Sequence, residues 1–206
     1  MESQSFRTFE VAWNHFHCGH APIAHLMRET GAKHWQRFHS LTESKRYPDS
    51  RAEMTTVIER ANALAYATLG REDAWLVTCV FEDDDILPPP EAEIERWVRS
   101  QERIQKRRLQ RYAMLPTGMT LREDEDNGIW SVHAAAVRWG DRQFIPLLRE
   151  IANDQAQGEW LWMSNRTGAV FAPYDGGVDL FLPTAEDVIR FKARWPDWLS
   201  AHPDGL

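Results

Sequence analysis

Arg37, His39, Lys45 and Arg46 bring four potentially cationic groups and the Tyr47 phenol into eleven residues. Arg37 and His39 stand two apart in an alternating stretch, so on a strand they share one face. Guanidinium and ammonium groups at that density suit a phosphate, a carboxylate or an acidic loop of a partner. The same residues also suit plain ion pairing within the fold, with Asp175 and Asp179 as partners. Those two acids belong to a second cluster, Tyr174-Asp175-Gly176-Gly177-Val178-Asp179. Carboxylates four residues apart could bind a cation or move protons. Asp and Gly in that order also write an ordinary hairpin turn, and the regular oxygen ligands of a calcium loop are missing.

A third cluster is His15-Phe16-His17-Cys18-Gly19-His20, with His25 shortly after. On an extended segment His15 and His17 face one way, and imidazole with thiolate is a good zinc or copper set. Neither C-x-x-C nor H-E-x-x-H spacing occurs, so incidental histidines are the competing reading. The expectation is no cofactor, with zinc at His15, His17, Cys18 and His20 the one candidate. No catalytic residue is assigned. The phosphate-cradling G-x-x-x-x-G-K-[ST], the dinucleotide G-x-G-x-x-G and the nucleophile turn G-x-S-x-G are all absent from the sequence.

The elements that must position these groups read as α+β: one domain over 1–206, with a largely antiparallel central sheet flanked by helices. Helices are expected over Ala21–Glu29, from Ser50 to Gly70, over Glu91–Arg108, over Asp141–Asn153 and after Thr184. Ser50 with Glu53 and Thr184 with Asp187 have capping-box spacing. Strands are expected over His34–Leu41, Ala74–Phe81, Tyr112–Leu115, Ile129–Trp139, Glu159–Ser164, Ala169–Ala172 and Val178–Leu182. Ile129–Trp139, apolar or small on both faces, is expected at the centre of the sheet. Glu82–Pro90 and Thr120–Asn127 read as loops.

The chain has 206 residues, 24 Lys+Arg against 31 Asp+Glu, a net charge of −7, and 43% hydrophobic residues, enough for a real core. The acidic balance argues against nucleic acid, which requires an excess of cations. No apolar run approaches a membrane span, and the first twenty residues lack a secretory apolar stretch. Two well-separated cysteines read as reduced thiols in the cytoplasm.

Arg37-Phe38-His39-Ser40-Leu41-Thr42-Glu43-Ser44-Lys45-Arg46-Tyr47-Pro48 resembles the R-F-H-S-L-P-E-S-K-R-Y-P block of a bacterial domain family of unknown function. Ala172-Pro173-Tyr174-Asp175-Gly176-Gly177-Val178-Asp179 resembles that family's A-P-Y-D-G-G-x-D block, and Trp195 to Pro203 resembles its tail. The sequence departs from the family at Thr42, where the block has proline, and in the N-terminal histidine segment. The resemblance implies a single compact domain and a bacterial source, and brings no activity with it.

Three functions follow as expectations. The first is a non-catalytic, immunity- or antitoxin-like protein that masks a protein partner, with Asp83, Asp84 and Asp85 steering a basic surface and tryptophans as anchors. The second is an enzyme or binder for a small anion, through Arg37, His39, Lys45, Arg46, Tyr47, Tyr174, Asp175 and Asp179. The third is a metal-binding protein using the His/Cys cluster.

Overall fold

A computed structural model describes residues 8–82, 92–122, 129–140 and 142–200. Its helices are α1 (Phe9–His17), α2 (Ala24–Glu29), α3 (Arg51–Leu69), α4 (Ala92–Arg111), α5 (Ile145–Ala152) and α6 (Ala185–Arg194). Its strands are β1 (Trp35–His39), β2 (Asp73–Glu82), β3 (Leu115–Arg122), β4 (Ile129–Arg138), β5 (Glu159–Ser164), β6 (Val170–Tyr174) and β7 (Gly177–Phe181). The strands form one sheet in the order β1-β7-β6-β5-β2-β4-β3, and every neighbouring pair is antiparallel. The fold is α+β, as expected.

Helices cover both faces. On one side α3 contributes Ile58, Ala61, Leu64 and Ala65, α5 contributes Leu147, Leu148 and Ile151, and α6 contributes Phe191. These pack on Leu76, Trp162, Phe171, Val178 and Leu180 of the sheet. On the other side Phe9, Ala12 and Trp13 of α1, with Ile23 and with Met27 of α2, pack on Val77, Val132, Leu161, Val170 and Phe181. Trp139, Phe144, Trp162 and Phe171 make mutual ring contacts at 5.2–5.7 Å, so several tryptophans are core rather than exposed anchors.

The helix starts follow the sequence chemistry. Ser50 Oγ accepts from the Glu53 amide, and Thr184 Oγ1 from the Asp187 amide, each at 3.1 Å. Each side chain thereby satisfies an amide that the first turn leaves without an intrahelical partner. Three local expectations need correction. β3 runs from Leu115 to Arg122, taking in Thr120–Arg122, while Tyr112 is followed by a turn with Ala113 at φ 51°. Pro116 and Gly118 hide this strand from a propensity reading, and both are tolerated because β3 is an edge. β4 is not central: it lies second from that edge, and its residues are a mixture of buried, half-buried and exposed. The segment containing His15 and His17 is helical rather than extended. Among the described residues no helix is long and apolar enough to cross a membrane.

Candidate functional site

Strand parity assembles the site. Phe38 on β1, Val178 and Leu180 on β7, Phe171 on β6 and Trp160 and Trp162 on β5 enter the core under α3 and α5. Their alternates Arg37 and His39, Asp179, Tyr174 and Glu159 therefore share the opposite face, beneath α2. Register aligns them further, since Arg37 lies opposite Asp179, and Gly177 lies opposite both His39 and Tyr174.

Gly177 makes this approach possible. A Cβ there would sit 2.2 Å from Phe38 O, 3.0 Å from the Tyr174 hydroxyl and 3.2 Å from His39 Cα. The bare backbone lets the Tyr174 phenol lie across β7 towards β1, where the Arg37 guanidinium stands 4.7 Å from its ring centroid.

Two guanidiniums are tied from behind by buried acids. Arg37 donates from Nε to Asp179 Oδ1 at 2.8 Å and from Nη2 to Oδ2 at 2.9 Å. Arg28 of α2 brings its Nε to 3.3 Å from the same carboxylate. Arg46 donates from Nε to Asp175 Oδ2 at 2.5 Å. The Asp179 side chain is 3% exposed and that of Asp175 8%, so neither acid has bulk water to shield its charge. Burial works against the Arg37 charge, but the Asp179 hydrogen bond and charge outweigh it and raise the pKa. Arg46 is raised by its hydrogen bond to Asp175, and Tyr47 by hydrogen bonding to the same acid. Burial pushes Tyr174 up to about 12, so its hydroxyl keeps its proton and can donate.

Arg28, Arg37, Arg46, Tyr174, Asp175 and Glu159 line one cleft of about 290 Å³, on whose rim His25 and Asp154 also stand. Glu159 differs from the other acids. Its only ion-pair neighbour among the described residues is His25 Nδ1 at 3.7 Å, beyond hydrogen-bond range. Burial raises its pKa.

The structure thus gathers Arg37, Arg46, Tyr47, Tyr174, Asp175 and Asp179 and separates two other candidates. Lys45 turns to the start of α3, with Nζ 2.6 and 2.7 Å from the Glu53 oxygens and 2.9 Å from Asp49 Oδ2. His39 does not line the cleft; its Nε2 is buried without a partner, and burial together with the Arg37 charge lowers its pKa. Arg28, His25, Asp154 and Glu159 were not singled out for this site from the sequence. Glu159 had a signal, the alternation with Trp160 and Trp162 that sets it on the Tyr174 face. The remaining three come from a short helix and a loop, and only the tertiary fold brings them in.

The histidine cluster lies elsewhere. On helical α1, residues two apart diverge by roughly 200°, so His15 and His17 do not share a face. His17 Nε2 donates to Gly168 O at 2.7 Å, while burial lowers its pKa. His20 Nδ1 lies 2.7 Å from Thr30 Oγ1. His17 and His20 line a second cleft of about 380 Å³ with His34, and Cys18 is exposed. Among the described residues, no group of three or more His, Cys, Asp or Glu side chains could hold a metal ion. Asp83, Asp84 and Asp85 lie outside the described residues.

No curated protein and no solved structure matches the chain. A family model does: residues 23–203 match the domain of unknown function DUF3885, a span that includes α2, the basic block, the Tyr174–Asp179 turn and every residue lining the cleft, and the chain belongs to that family.

Proposed function

We propose that this chain binds a small anion, a carboxylate or a phosphate, in the cleft beneath α2. One observation carries the reading. Arg37 and Arg46 each have Nε fixed by a buried carboxylate, yet both still line the cleft beside Arg28 and the protonated Tyr174 hydroxyl. A guanidinium has five N–H donors. The bidentate pair with Asp179 uses two positions of Arg37 and leaves Nη1 outside it. Asp179 and Asp175 balance much of the positive charge, so the cleft offers aimed donors rather than strong net charge. Side chains already held in place lose little entropy when a ligand arrives.

Binding without chemistry fits these residues better than catalysis. Of the groups on this face that could move a proton, His39 lies off the cleft and Asp175 is engaged by Arg46. The same donors fit a carboxylate on the acidic loop of a protein partner. A masking role in the bacterial cytoplasm would take that form here, and the two free thiols, Cys18 and Cys79, are in keeping with that compartment.

The test is calorimetric titration with inorganic phosphate and with acetate at low ionic strength. Saturable one-to-one binding of at least one ion is expected. Arg46→Gln should weaken it about tenfold or more, since a charge-assisted hydrogen bond contributes roughly 1.5–3 kcal/mol. If neither ion binds saturably, the reading is wrong.

A further inference from the structure

Resting on the anion-binding reading, we propose that the ligand is a zwitterion, its anionic end held by Arg37, Arg46 and Tyr174 and an ammonium group at its other end held by Glu159. The sheet separates the two ends. Arg37 is on β1 and Glu159 on β5, with β7 and β6 between them. Three steps of about 4.8 Å across the strands and two residues along β5 put their backbones roughly 16 Å apart across the floor of the cleft. Both side chains line the same cleft, so one ligand can meet both.

The acids of the cleft are not equivalent. Asp179 is engaged by Arg37 through two hydrogen bonds, and Asp175 by Arg46. Each is a spent charge that serves to orient a donor. Glu159 is partly buried and, among the described residues, has no such cation. Its neighbour His25 is 3.7 Å away and carries charge only when protonated. The Glu159 side chain is 41% exposed, so its carboxylate is open to a cation arriving with a ligand rather than shut away in the core. A primary ammonium, a compact charge with three donors, is the group that completes it. Arg28, on α2, lines the same cleft with its Nε 3.3 Å from Asp179, so it acts on Glu159 through its charge and not as an ion-pair partner. A ligand with anions at both ends would set its second charge against Glu159, and like-charge contact in a confined cleft is unfavourable.

The test compares probes that differ only in the amine: butyrate with 4-aminobutyrate, and propylphosphonate with 3-aminopropylphosphonate, by calorimetry at fixed ionic strength. The proposal expects the amine to strengthen binding about tenfold or more in at least one pair. Glu159→Gln should collapse that preference to near unity and bind the amine-free member at least as tightly, because a negative charge has left the cleft. Asp73→Asn, which removes an exposed acid outside the cleft, should retain the preference and shows that the effect is not a general loss of negative charge or of structure. Amine-free probes that bind as well as their amine partners would overturn the zwitterion while leaving the anion site standing. A preference that survives in Glu159→Gln would overturn it equally. Failure of all four probes, with phosphate and acetate also unbound, would remove the anion site itself.

Discussion

Asp179→Asn is the sharpest structural perturbation of the cleft, because it discharges the acid that holds two arginines and changes little in shape. In the native protein the Asp179 side chain is 3% exposed and its Arg37 partner 14%, with donor distances of 2.8 and 2.9 Å. Arg28 approaches the same carboxylate at 3.3 Å. Removing one member of a buried pair leaves an uncompensated buried charge, which costs about 3–5 kcal/mol. Asparagine keeps one acceptor oxygen, so the lower end, about 3 kcal/mol, is expected. At roughly 2–4 °C per kcal/mol for a chain of this size, the midpoint should fall by about 6–12 °C. Urea unfolding with linear extrapolation is the assay, with an unchanged slope as the sign that native stability alone has moved. A double variant, Arg37→Met with Asp179→Leu, should recover most of the loss, since it removes both charges. A loss below about 1 kcal/mol for Asp179→Asn would show that the pair is not the buried anchor described here.

Gly168→Ala would place a Cβ 2.3 Å from Phe16 Cγ at φ +71°, whereas Gly19→Ala at φ +86° meets nothing within 4 Å. Thermal unfolding should therefore show a loss of about 2–4 kcal/mol for the first and about 1–2 kcal/mol for the second, which carries only the left-handed strain. Burial holds the Cys79 thiol up at about 12 while Cys18 is exposed, so mass spectrometry after iodoacetamide at pH 8 should find one label on native protein and two after unfolding. Burial lowers the folded pKa of both His17 and His39 from 6.5. Their contribution to stability is therefore complete above about pH 6.5 and is lost as pH falls towards the folded values. Denaturant midpoints between pH 7.5 and 5 should decline, and less so in His39→Gln.

What the sequence exposed, and what it concealed, follows from the range of the interactions. Ser50 with Glu53 and Thr184 with Asp187 announce helix starts because a cap is complete within four residues. Arg37 and His39 share a face because strand parity is local. Pairing Arg37 with Asp179 could be anticipated as one partner choice among several, and the β1–β7 register selected it. Lys45, in the same block, chose Glu53 instead because η1, the short turn at Thr42–Ser44, directs the chain to the start of α3. α1 escapes a local reading although Phe9, Ala12, Trp13 and Phe16 follow helical spacing, because the alternating histidines at its end fit a strand period equally well. Glu159 is legible through its alternation with Trp160 and Trp162, whereas Arg28 and Asp154 join the cleft through contacts far along the chain, where no local pattern indicates a meeting.

The most direct test of the anion cleft is to follow arginine Nε–Hε and backbone amide resonances by NMR while phosphate or acetate is added. The account predicts saturable shifts concentrated at Arg28, Arg37 and Arg46 and in the backbone around Tyr174 and Asp175, and their loss in Arg46→Gln. Shifts that never saturate, or that gather on the opposite face around α3 and α6, would contradict it.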